Sequence, residues 1–236
     1  MRVITWNCNM AFRYKADHIL KYKPDILVVP ECEHPDKIIF SAKKKPSSII
    51  WYGENQHKGL AIFSFNGYTI SLLPQHNPRY KTILPIQLNY EKHRLILFGI
   101  WANNPADKGY EYNGQIWKAL KEYEPLLNHS HILLVGDFNS NTIWDRPKRV
   151  HNHTALVEKL AQKKIVSTYH HYFNQIQGKE KHPTLYMYRH QNKPYHIDYC
   201  FASISLIKKL NFVKVGRFNT WKDKSDHIPL IADFAL

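Results

Sequence analysis

Ten short apolar runs, each six to eight residues long, dominate the chain: "RVITWN" (2–7), "DILVVP" (25–30), "GLAIFSF" (59–65), "YTISLL" (68–73), "ILPIQLNY" (83–90), "RLILFGIW" (94–101), "HILLVG" (131–136), "YHIDYCFA" (195–202), "LNFVKVG" (210–216) and "IPLIADFA" (228–235). Runs of this length, rich in β-branched and aromatic residues, have the size of buried strands and are too short for most helices. Helical spacing is confined to three segments. Residues 13–21 place Ala16, Ile19 and Leu20 on one face before Pro24; residues 111–124 align Ile116, Leu120 and Tyr123 before Pro125; residues 153–163 align Leu156, Val157, Leu160 and Ala161. Many strands with a few helices outside them predict an α/β protein of two sheets packed face to face and covered by helices. No repeat, low-complexity stretch or linker-like composition break interrupts the pattern, so one domain over residues 1–236 is expected. Asn66 and Gly67 lie between two runs and both tolerate positive φ, which predicts a hairpin there.

Charge narrows the partners. The chain carries 33 Lys and Arg against 19 Asp and Glu, a net +14 with a pI near 9.6. Such an excess favours polyanions: nucleic acid, acidic membranes or phosphorylated substrates. The longest apolar run, residues 95–102, is far short of the ~20 residues of a spanning helix, so no membrane partner is expected. A strand-like segment starting at Arg2 leaves no room for a secretory signal. Cys8, Cys32 and Cys200 are odd in number and widely spaced, as for buried reduced thiols, which points to a cytoplasmic location.

The chemistry sits where strands end. "ITWNCN" closes on Asn7, "DILVVPECE" runs into Glu31, "LLVGDFN" delivers Asp137 and Asn139, and "SDHIPL" sets Asp226 and His227 before the last strand. "YHIDYCF" carries Asp198, read as mid-strand with His196 and Cys200 on its face. Taken singly, each has a plain reading: Asn7 and the Asp137–Asn139 pair suit turns, Glu31 suits a solvated loop, and His227 is one of fifteen histidines. Taken together, five apolar segments ending in acids or amides are harder to explain, because a carboxylate among apolar residues is costly to bury unless paired or bound to a metal.

In this order, "ITWNCN", "PDILVVPECE", "VGDFNS", "PYHIDYCF" and "SDHIPL" resemble the motifs of the endonuclease/exonuclease/phosphatase superfamily, which includes exonuclease III-like nucleases, DNase I and inositol-polyphosphate phosphatases. The resemblance spans residues 3–230. It implies a four-layer α-β-β-α sandwich with two mostly antiparallel sheets, the DNase I-like fold. It also implies that Glu31 and Asn7 bind Mg²⁺, for which Mn²⁺ substitutes, with Asp226 serving a second metal or the outer shell. Asp137 would orient or deprotonate the attacking water, with Asn139 at the same site. His227 would hydrogen-bond a phosphate oxygen, its tautomer fixed by Asp198.

Several positions depart from the family pattern. Trp101 follows "RLILFGI" where a tyrosine or histidine is usual, and an indole N–H donates a hydrogen bond but delivers no proton at neutral pH. Asn103 and Asn104 are then candidates for phosphate contacts. "HPTLYMYRHQNKPYHIDY" (182–199) is similar to the segment that forms an abasic-site pocket, with Leu185, Tyr195 and Ile197 at the pocket-like positions. "DRPKRVHNH" (145–153) adds Arg146, Lys148 and Arg149 just beyond the proposed centre. The reading that results is a Mg²⁺-dependent phosphodiesterase of nucleic acid, DNA ahead of RNA, as an endo- or exonuclease. The alternatives are a phosphomonoesterase of inositol, sugar or lipid phosphates, and a nucleic-acid-binding module without catalysis.

Overall fold

The computed structural model describes residues 1–103 and 110–236. The strands, in chain order, are β1 (Arg2–Thr5), β2 (Ile26–Cys32), β3 (Ser48–Asn55), β4 (Lys58–Ser64), β5 (Thr69–Leu72), β6 (Ile83–Tyr90) and β7 (His93–Trp101). They continue as β8 (Ile132–Asp137), β9 (Ile165–Ser167), β10 (Leu185–Tyr186), β11 (Pro194–Tyr195), β12 (Asp198–Ser203), β13 (Leu210–Val215) and β14 (Leu230–Phe234). The α-helices are α1 (Ala16–Leu20), α2 (Asn113–Glu122), α3 (His153–Gln162), α4 (Thr168–Phe173), α5 (Ile204–Ile207) and α6 (Phe218–Trp221).

Two six-stranded sheets form, ordered β13-β14-β1-β2-β4-β3 and β5-β6-β7-β8-β12-β9, with β10 and β11 as a separate ribbon. Strand periodicity assigns each layer. Leu95, Leu97, Leu133 and Val135 join the core shared with Leu27, Leu60 and Ile62 of the first sheet, whereas Ile96, Phe98, Ile100, Ile132 and Leu134 face outward. There they meet Ile116 and Leu120 of α2 and Leu156 and Leu160 of α3, the residues whose helical spacing predicts a buried stripe. Gly99 marks how closely the sheets approach: a Cβ there would lie 2.3 Å from Cδ1 of Ile62 across the interface. Over the first sheet, Trp6, Phe12 and Trp221 pack together with Ile19 and Leu20 of α1. The result is the expected α-β-β-α layering.

One pairing in each sheet is parallel, β1 with β2 and β7 with β8, and all others are antiparallel. This arrangement builds the site. The C-terminal ends of β1, β2, β7 and β8 meet at one edge, where the antiparallel strands β12 and β14 begin.

Three local expectations change. Asn66 and Gly67 do take φ of 55° and 83°, but they carry the chain from β4 in one sheet to β5 in the other, so no hairpin forms. Asn66 Nδ2 donates instead to Asp25 Oδ1 at 2.7 Å. Asp198 opens β12 and is not mid-strand, because the 2.9 Å hydrogen bonds from the backbone N–H groups of Ile197 and Asp198 go to Thr184 Oγ1, not to a neighbouring strand. The segment 13–21 splits into a 3₁₀ turn, Phe12–Tyr14, and the five-residue α1. Among the described residues, no helix is long and apolar enough to cross a membrane. All three cysteines are free and buried.

Candidate active site

Backbone irregularities aim the acids. In β2 the pairing register with β4 shifts between Pro30 and Cys32, and Glu31 is the extra residue, with φ of 61°. A bulge of this kind bends the strand and redirects a side chain that regular alternation would place elsewhere. Gly136 precedes Asp137 with φ of 148°, and a Cβ there would sit 1.8 Å from the Ile100 carbonyl oxygen of β7. Gly136→Ala is therefore expected to destabilise the fold by about 3 kcal/mol or more, read as a lower midpoint in urea unfolding.

Asn7 is buried and its Nδ2 donates to Asp137 Oδ2 at 3.0 Å and Glu31 Oε1 at 3.3 Å. Asn139, at φ 45°, donates its backbone N–H to Asp137 Oδ1 at 2.9 Å and its amide to Asp137 Oδ2 at 3.0 Å and the Ala102 carbonyl at 2.7 Å. Asp137 and Asp198 face each other as register partners of β8 and β12. The ring Nδ1 of His227 lies 2.9 Å from Asp198 Oδ2. Asn7, Glu31, Asp137, Asn139, Asp198 and His227 thus converge from six separate positions in the sequence.

The electrostatics follow from the burial. Desolvation and the charge of Asp198 push the Asp137 carboxyl up to about 7. Burial works against a charged His227, but the charge and hydrogen bond of Asp198, with the charge of Asp137, raise it to about 10. The site thus holds an imidazolium beside two carboxyl groups.

Among the described residues, the group of three or more His, Cys, Asp or Glu whose ligand atoms all lie within 4.8 Å of one another is Asp137, Asp198 and His227. Asp198 Oδ1 is buried without a hydrogen-bond partner. Glu31 Oε1 and Asp137 Oδ2 share the Asn7 amide, and carboxylate and amide oxygens of this kind suit a hard divalent cation.

No protein-family model matches the sequence, and no curated protein matches it. Solved structures do. An AP endonuclease from Archaeoglobus fulgidus aligns with a TM-score of 0.73 at 18% identity over 100% of both chains. The 3′-5′ exonuclease NExo from Neisseria meningitidis gives 0.66 at 19%, also over 100% of both chains. The endonuclease domain of TRAS1, a telomere-specific non-LTR retrotransposon, gives 0.65 at 15%, covering 100% of this chain and 98% of that domain. The chain has the DNase I-like fold. The order of strand-end motifs and the architecture therefore agree, although sequence identity is low.

The remaining expected residues lie around this edge of the fold. Trp101 ends β7 opposite Asp137 of β8. Asp226 accepts a 3.0 Å hydrogen bond from Asn9 Nδ2 and stands outside the Asp137–Asp198–His227 group. Asn103 lines a cleft with Trp101, and Asn104 lies outside the described residues. Arg146 and Arg149 line a cleft of about 570 Å³ with Asn139 and Trp144, whereas Lys148 does not line it. Asp145 turns inward, accepting from the backbone N–H groups of His153 and Thr154 at the start of α3. Tyr195 packs on Trp144, ring centroids 4.9 Å apart, while Leu185 and Ile197 are buried, leaving Tyr195 as the accessible member of that trio.

Four positioning residues escape a reading of the motifs. Ser225 Oγ accepts from the His227 N–H at 3.0 Å and donates to the Asn7 carbonyl at 2.8 Å, tying the two ends of the chain at the site. Its place two residues before His227 is the one available signal, since serine hydroxyls bond locally in such turns. Trp6 Nε1 donates to the His227 carbonyl at 3.0 Å, and Thr184 anchors the start of β12. Lys58 Nζ pairs with Glu31 Oε2 at 3.1 Å. Nothing in the run that starts β4 marks that lysine.

Proposed function

We propose that this protein is a Mg²⁺-dependent phosphodiesterase that hydrolyses nucleic acid, DNA ahead of RNA. The observation that carries the reading is the buried Asp137–Asp198–His227 group, joined through Asn7 to Glu31 at one edge of a DNase I-like sandwich.

A phosphodiester is a sluggish anionic electrophile, so its hydrolysis needs charge neutralisation and a positioned water. Glu31 and Asn7 would hold Mg²⁺, and Asp226 the outer shell; the ion, when bound, supplies positive charge at the phosphate. Asp137, raised to about 7, is poised to take a proton from the attacking water near neutral pH, and Asn139 fixes its orientation with two hydrogen bonds. Because Nδ1 of His227 faces Asp198, its Nε2–H is the donor that would meet a non-bridging phosphate oxygen. Trp101 orients by contact or hydrogen bond and transfers no proton.

The net +14 charge supports a polymeric substrate, and NExo, described as a 3′ phosphatase, has been solved with a product DNA hairpin. The phosphatase activity of that relative keeps a phosphomonoesterase as the second reading. If Arg146 and Arg149 contact phosphates beside the scissile bond, replacing both with alanine should make the slope of log K against log salt shallower by roughly 2 on duplex DNA. Lys148→Ala should have the smaller effect, since it lies outside the cleft lining. Mg²⁺ assays across abasic duplex, intact duplex, single-stranded DNA, RNA and inositol phosphates decide the substrate class. Turnover restricted to inositol phosphates would overturn the nuclease reading, and binding without turnover anywhere would leave the non-catalytic module.

A further inference from the structure

Both carboxylate oxygens of Glu31 are engaged. Oε1 receives the Asn7 amide at 3.3 Å, and Oε2 pairs with Lys58 Nζ at 3.1 Å. Asn7 is buried and also bound to Asp137, so it has little freedom to leave. Lys58 differs on each count. It sits at the first residue of β4 with its side chain 38% exposed, on a flexible stem at the solvent side of the site. Its ammonium also lies 5.2 Å from the centroid of the Trp101 ring, which reaches it from the opposite sheet. Indole is the strongest of the aromatic partners for a cation. The neighbouring lysine of the same cleft, Lys81, is already paired with Glu54 at 2.8 Å.

We infer that Lys58 is a built-in counter-ion of Glu31, occupying one of its two carboxylate oxygens and so competing with a divalent cation for the site. The inference rests on the proposed metal-binding role of Glu31. Its physical basis is that two cations cannot share one carboxylate oxygen at close range without repulsion, so the lysine withdraws when the metal enters. The Trp101 ring, 5.2 Å from the ammonium already paired with Glu31, adds to the hold on the lysine there, which gives the unusual tryptophan at this strand end a physical use. Cation affinity is accordingly weaker than the oxygen donors alone would provide, and the site is not left as an uncompensated cluster of acids when no metal is bound.

The test is a titration of manganese(II) alone, following free Mn²⁺ by electron paramagnetic resonance, on wild type, Lys58→Met and Lys58→Arg, with thermal melts to verify folding. For a partly exposed ion pair, Lys58→Met should tighten Mn²⁺ binding by roughly three- to tenfold. Lys58→Arg keeps the charge and should stay within about twofold of wild type, a difference worth less than half a kcal/mol. Unchanged or weaker binding in Lys58→Met overturns the inference while leaving the metal site intact. Equal tightening in both variants also overturns it, because charge would not be the cause. If wild type shows no saturable Mn²⁺ binding, both this inference and the metal-dependent reading fail.

Discussion

Asp137→Asn is expected to lower turnover by about 10²–10⁴-fold at saturating Mg²⁺ while the substrate still binds, the range by which a positioned base assists a proton transfer. Asparagine nearly preserves the shape and can keep an oxygen toward the Asn139 N–H, but it has no carboxylate to receive the water's proton. Glu31→Gln should behave differently. It removes ligand charge, not the base, so the Mg²⁺ concentration for half-maximal rate should rise by roughly 10–100-fold and high metal should restore most of the rate. Titrating Mg²⁺ against rate separates the two. Full rescue of Asp137→Asn by metal would show that the roles are wrongly divided.

The pH–rate profile should be a bell, rising as Asp137 loses its proton near 7 and falling as His227 loses its proton near 10. Asp198→Asn should move both limbs toward lower pH. His227 would lose the charge and hydrogen bond that raise it, leaving burial to depress it, and Asp137 would lose the like charge beside it. The stability of the wild-type fold carries the same signature. His227 titrates higher in the folded than in the unfolded chain, so its pairing stabilises fully below about 6.5 and that gain is lost as pH rises through about 10. In Asp198→Asn this dependence should flatten. An alkaline limb that stays in place would mean that a group other than His227 sets it.

Much of the architecture is legible in the sequence because burial imposes strict periods. Where both faces of a strand are covered, as in "RLILFGIW" and "HILLVG", the apolar run and the element nearly coincide. Edge elements lack that constraint. Strand β3 has no fully buried residue, and β9 to β11 are two or three residues long, so neither length nor alternation announces them. The Asn66–Gly67 turn shows another limit: local chemistry dictates positive φ but not which sheet the following strand joins. In the site, acids and amides at strand ends stand out against apolar neighbours, whereas Lys58, Thr184 and Ser225 are ordinary surface or turn residues in sequence. Their positions depend on β4, the turn after 182 and the last strand meeting at one edge, a long-range consequence of topology that local patterns do not contain.

The activity proposed for the Asp137–Asp198–His227 edge is metal-dependent hydrolysis of a nucleic-acid phosphodiester. Its most direct test follows cleavage of end-labelled DNA, duplex and single-stranded, by purified wild-type protein and Asp137→Ala, with Mg²⁺ and with EDTA. Cleavage by wild type with Mg²⁺, abolished by EDTA and absent in a folded Asp137→Ala, is the expected result; cleavage that persists in EDTA, or equally in Asp137→Ala, would contradict it.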